Sequence, residues 1–193
     1  MLPLSGMEKY IRAHLRYNVT MNLLDGAFFG LALGFGSFAT IIPLFVTRLS
    51  DSAILIGLAP AFHAIGWQLP QLFNAGQIAR AREYKPMVLR NTRHERVPFF
   101  VLGITALLIP VIGVKAALVI TFLALAWQGI GAGFTANPWT SFVSKLIPPE
   151  SRGAFFGMQG ALANLAISIA AIGAGYLLET VVFPKNFGVS FLI

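Results

Sequence analysis

NAGQIARAREYKPMVLRNTRHERV, residues 74–97, carries six of the fourteen Lys and Arg residues of a 193-residue chain that is 56% hydrophobic and 11% charged. Soluble domains carry roughly 25% charged residues. At less than half that level, and with a mean hydropathy of +0.75, the main solvent of this chain is lipid. A nucleic-acid binder would spread its basic residues over a folded polar surface. Here they sit between long uncharged runs, the pattern of loops lying against anionic membrane lipid. The net charge of +7 is therefore read as lipid contact, with no nucleic acid as partner. The chain has no cysteine, which excludes a disulfide framework, a thiol nucleophile and a Cys-ligated metal.

Working outward from this basic stretch, the apolar runs predict helices that cross a bilayer. A span needs about 20 apolar residues at 1.5 Å rise each. Runs at 22–47, 52–75, 116–140 and 153–178 meet that length. The run at 97–114 covers about 27 Å, and Arg96 and Lys115 can snorkel to make up the rest. A partial sixth span begins at 186 and reads NFGVSFLI; eight helical residues reach only about 12 Å, so the sequence is expected to stop inside it. The expected fold is all-α, a polytopic transmembrane helix bundle. Residues 1–18, with Met7, Ile11 and Leu15 at helical spacing and Arg12 and Arg16 on another face, predict a helix lying in the membrane interface.

The loops then fall into two sets. Lys9, Arg12 and Arg16, the six basic residues of the 76–96 loop, and Lys145 and Arg152 make eleven; Arg48, Lys115 and Lys185 make three. The positive-inside rule places the eleven, and with them the N-terminus, in the cytoplasm of a multi-pass cell-membrane protein.

Within the spans, Gly26, Gly30 and Gly34 recur every fourth position, as do Gly129 and Gly133, and Gly153, Gly157 and Ala161. Small residues at that spacing let helix backbones approach closely, the way helices pack in lipid. Pro43, Pro60, Pro70, Pro110 and Pro138 are expected to bend or end helices, which membrane bundles tolerate.

Three segments together resemble the N-terminal half of a major facilitator superfamily (MFS) transporter. The first is Gly76-Gln77-Ile78-Ala79-Arg80-Ala81-Arg82-Glu83-Tyr84-Lys85, similar to the family's loop after the second helix at Gly76, Ala79 and Lys85. Arg80 stands where the family usually has Asp. The second is Leu125-Ala126-Trp127-Gln128-Gly129-Ile130-Gly131, similar to the family's Arg-x-x-Gln-Gly-x-Gly, with Leu125 in place of the Arg. The third is Pro149-Glu150-Ser151-Arg152-Gly153-Ala154-Phe155-Phe156-Gly157, similar to the run that opens the family's fifth helix. The resemblance covers nearly the whole chain. It implies an MFS-like N-terminal six-helix half over 19–193, truncated in its sixth helix, whose C-terminal half lies outside this chain.

Polar groups within spans are costly and mark function. The candidates for a substrate cavity are Asn22, Asp25, His63, Gln68, Trp127, Gln128 and Asn137. Since the first and fourth helices line the cavity in the resembled fold, Asn22, Asp25, Gln128 and Asn137 rank above Gln159 and Asn164. Asp25 reads either as an interfacial residue paired with a loop Arg or as a cation or proton site. Trp67 and Trp139 read as interface anchors, with Trp127 the aromatic for the cavity. Gly76, Arg80, Arg82, Lys85, Glu150, Arg152 and Gly153 are candidates for a cytoplasmic gate, with a plain topology signal as the competing role.

The function expected is a permease moving a small-molecule solute by alternating access, with a coupling ion, proton or sodium, as possible partner and no cofactor or metal. A non-transporting scaffold or channel subunit is the alternative. A weaker one is an intramembrane hydrolase built on Ser37 and His63, for which no third orienting group is visible.

Overall fold

The computed structural model describes residues 6–193, and every secondary-structure element in that range is helical. In chain order these are α1 (Gly6–Ala13), α2 (Leu15–Phe35), α3 (Ile41–Thr47), α4 (Ala53–Ala79), α5 (Lys85–Ile112), α6 (Val114–Leu146), a 3-10 turn (Pro149–Ser151), α7 (Arg152–Thr180) and α8 (Lys185–Leu192). Four stretches are long and apolar enough to cross a membrane: α4, α5, α6 and Pro149–Thr180. The molecule is thus an all-helical assembly compatible with a membrane helix bundle.

Local chemistry sets the helix boundaries. The Ser52 hydroxyl accepts from the Leu55 amide at 3.5 Å and caps α4. Pro86 lies in the first turn of α5, where its missing N–H costs no hydrogen bond. Gly113, at φ 79°, joins α5 to α6 in a single-residue turn that a side chain would strain. Pro60, Pro70, Pro98, Pro110 and Pro138 all sit inside helices that continue through them.

Two expectations are corrected. The span at 22–47 is two helices: α2 starts seven residues earlier, at Leu15, and stops at Phe35, and α3 begins at Ile41. In the gap, the Ser37 hydroxyl accepts from the amides of Ala39 and Thr40 at 3.3 and 3.2 Å. These local bonds compete with helix propagation. With Asn18, Asn22 and Asp25 in it, α2 is not among the four candidate spans. The 76–96 loop is mostly helix, since α4 runs to Ala79 and α5 starts at Lys85, leaving 80–84 as the connection. Four of the six basic residues of the opening stretch, Lys85, Arg90, Arg93 and Arg96, therefore ride on the first three turns of a long helix, and Arg80 and Arg82 lie in the connection. Of the N-terminal segment, residues 1–5 and the Met7 side chain lie outside the described residues; α1 occupies the rest up to Ala13.

Two helix groups form the body. α2 packs along α7, and α6 packs against both α4 and α5, with α8 against α5 and α3 against α4. Glycines set the seams. A Cβ on Gly30 would lie 2.5 Å from the carbonyl oxygen of Ala163, and one on Gly133 would lie 2.6 Å from that of Trp67. Gly129 meets Gly66 backbone to backbone. On α7 the packed residues are Gln159, Ala166, Ala170 and Ala174, whereas Gly153 and Gly157 face open space. The small-residue stripe expected at 153, 157 and 161 lies on the opposite side of that helix from its packed face. A core of Ile42, Phe45, Leu102, Ala106, Leu125 and Phe187 closes the end of the bundle away from Lys85 and Lys145.

Candidate functional site

Between the α2–α7 pair and the α4–α5–α6 group lies a cavity of about 600 Å³, and a second of about 330 Å³ opens between α2, α5 and α8. Asp25, Phe29, Glu95 and Arg96 line both, so three charged side chains stand where the cavities adjoin. Glu95 is ten residues into α5, about 15 Å along a helix some 42 Å long. Asp25 is the midpoint of α2. The larger cavity extends toward Val88, Thr140 and Phe156, near the ends of α5, α6 and α7 that carry Lys85, Lys145 and Arg152; the smaller extends toward Gly36 and Ile193.

Among the described residues the only ion pair is Arg12 with Glu150, so Asp25 and Glu95 have no cation within 4 Å. Gln159 is 7% exposed and lies over Gly26, where a Cβ would meet its side chain at 2.8 Å. Its amide nitrogen donates to the Asn22 carbonyl at 3.2 Å. Its Oε1 accepts no hydrogen bond among the described residues, and no fully buried polar atom lacks a partner. That oxygen therefore opens onto the cavity. Trp67 and Trp139, with Phe29 and Phe156, supply the aromatic wall.

Of the seven expected cavity residues, Asp25 is the one that lines these cavities. Asn22 donates to the Asn18 carbonyl at 2.8 Å and faces Gln159 through its own carbonyl. His63 and Gln128 meet each other: Nδ1 lies 2.8 Å from Oε1, across the α4–α6 seam. An amide oxygen only accepts, so Nδ1 carries the proton. The Phe38 ring stacks on the imidazole at 3.6 Å between centroids. Asn137 donates to Gln71 O at 2.9 Å and Asn74 Oδ1 at 2.8 Å, and Asn91 donates to Phe134 O at 2.9 Å, tying α4, α5 and α6 together. Trp127 donates to His94 Nδ1 at 3.2 Å on an exposed face of α5 and α6. Gln68 is exposed on α4. The aromatic assignment is thus reversed, with Trp67 and Trp139 in the cavity and Trp127 outside it. Gln159, ranked low for lying on the fifth apolar run, is a wall residue, while Asn164 donates to Gly160 of its own helix.

The charge of their neighbours predicts a loop at Glu95 and Arg96, and the structure places both on α5. The available signal was the absence of any helix breaker from Met87 to Val97, with Pro86 in a starting position. Ser37 bonds the amides of Ala39 and Thr40, and His63 bonds Gln128; no hydrogen bond joins Ser37 to His63.

The expected gate residues cluster at one end. Arg80 ends α4, and Gly76 and Gly153 are exposed. Lys145 reaches the Arg82 carbonyl at 3.4 Å and sits 4.2 Å from the centre of the Tyr84 ring. Glu150 pairs with Arg12 of α1. Arg152 donates to Ser144 O at 2.5 Å and Ile147 O at 3.1 Å, neutralising carbonyls at the C-terminal end of α6. Lys85 is exposed at the start of α5.

No protein-family model matches the chain, and no curated protein or solved structure matches it either.

Proposed function

We propose that this chain is the N-terminal half of a secondary transporter of the MFS type, which moves a small solute across the cell membrane by alternating access, its N-terminus in the cytoplasm. The observation that carries the reading is the pair of cavities meeting at Asp25, Glu95 and Arg96, about midway along α2 and well inside α5. A transporter binds near the midplane, between bodies that move against each other. Charges at that depth are expensive unless they serve a solute or ion pathway. With Arg96 drawn inside the body, ten basic residues toward one end against three toward the other support the orientation, with anionic lipid as their partner.

These 193 residues contain no cysteine, so once any cysteine of the other half is replaced, single cysteines report access cleanly. In proteoliposomes of the complete protein, Thr140→Cys in the larger cavity is expected to react with a membrane-impermeant maleimide from the cytoplasmic side, and Ala32→Cys in the smaller one from the opposite side. Failure of both to react from either side would remove the reading. Counterflow of a labelled solute separates a transporter from a scaffold.

A further inference from the structure

The larger cavity has a chemical bias that narrows its ligand. Two carboxylates and one guanidinium border it, leaving one formal negative charge in excess. Neither carboxylate is paired; Asp25 is exposed and Glu95 half-buried, and a half-buried charge without a partner is costly until a counter-charge arrives. The Gln159 oxygen is an acceptor without a donor, so the ligand it suits brings an N–H or O–H. Trp67 and Trp139 line the cavity, and indole rings attract a cation and accommodate an apolar body. A bare metal ion does not fit: no three His, Asp or Glu residues gather anywhere among the described residues, and about 600 Å³ is far more space than an ion fills.

Resting on the transporter reading, we infer that the cavity takes a primary or secondary ammonium group carried on an apolar, aromatic body, with Asp25 and Glu95 as counter-charges and Gln159 Oε1 as hydrogen-bond acceptor. Arg96 sets the charge balance: it repels the ammonium and keeps the empty cavity from carrying two uncompensated negative charges.

The test uses three matched probes, a dansyl fluorophore on a five-carbon chain ending in an ammonium, an acetamide or a carboxylate. Each is titrated against the chain in phosphatidylcholine nanodiscs, with empty nanodiscs subtracted. The ammonium probe is expected to bind at least tenfold more tightly than the other two. Asp25→Asn and Glu95→Gln should each weaken it about tenfold, and Gln159→Leu severalfold, while the acetamide probe binds these variants as it binds the native chain. Arg96→Gln should tighten the ammonium probe. Equal affinity for the three probes would overturn the assignment, as would ammonium binding that survives the Asp25→Asn/Glu95→Gln pair. A variant that loses the acetamide probe as well has lost its cavity, and the decision then passes to the charge preference of the native chain. Ammonium binding without two-sided cysteine access would sink the transporter reading and leave the ligand class standing. Two-sided access without charge preference would do the reverse.

Discussion

Gly30 and Gly153 are the same residue type in the same kind of helix, yet they answer to different constraints. A Cβ on Gly30 would press within 2.5 Å of the Ala163 carbonyl oxygen, a backbone atom that moves only if α7 moves. Gly30→Ala should cost about 1–3 kcal/mol, the usual penalty for overpacking. Gly153→Ala meets nothing within 4 Å and should leave stability unchanged or raise it by up to about 1 kcal/mol, since Ala loses less backbone freedom than Gly in a helix. Thermal unfolding in detergent ranks the two; equal midpoints would contradict the α2–α7 seam. Gln128 is 1% exposed and receives the His63 N–H, so Gln128→Leu removes the partner of a half-buried donor and should cost about 0.5–1.5 kcal/mol, the net worth of one hydrogen bond. At this scale the sequence was readable where spacing alone decides, as with the glycines of α2 that meet α7. It was unreadable where a helix face decides. Gly157 and Gln159 are two residues apart, and only the direction of packing tells which one turns inward.

α5 shows what charge hides from a sequence reader. Its first twelve residues hold four basic side chains, yet Lys85–Ile112 is one uninterrupted helix. Proline tests this directly. Arg90→Pro removes a helical hydrogen bond and clashes one turn back, costing about 3 kcal/mol or more. Arg82→Pro falls in the 80–84 connection and should cost far less. Similar losses at the two sites would restore the loop. The long charged side chains can lie along the helix and reach polar surroundings, which is how a membrane helix tolerates them. Glu95 lacks that reach and is left beside the cavity. The ends of α6 and α7 depend on Arg152, whose two hydrogen bonds to α6 carbonyls are charge-assisted. Arg152→Ala should cost about 1.5–3 kcal/mol. Arg12→Ala removes a solvent-screened ion pair at the surface and should change stability far less than Arg152→Ala. The apolar runs announced four long helices because length and hydropathy are local properties. The division at Gly36–Thr40 escaped notice because a serine side chain, not proline or charge, stops the helix there.

For the whole molecule, the lopsided charge predicts how the chain threads the membrane. Replacing Arg80, Arg82 and Lys85 together by Gln is expected to reduce the fraction of molecules with a Met1 tag on the cytoplasmic side, read by protease protection. An unchanged fraction would assign the orientation to Arg90, Arg93 and Arg96 or to the N-terminal segment. The separation of the body into α2–α7 and α4–α5–α6 has a mechanical side as well. α2 is tied to α7, while α3 is clamped elsewhere by Phe45 against the rings of Phe187 and Phe191 at 5.1 and 5.3 Å. The five residues joining them already lie outside any helix. A pivot of the α2–α7 pair on that linker would unzip no helical turn, but it would have to keep or break the Ser190 bond to the Phe35 carbonyl and the Arg152 bonds to Ser144 and Ile147. A rocking motion would draw its compliance from a few backbone torsions there, leaving the aromatic clamp as a fixed abutment.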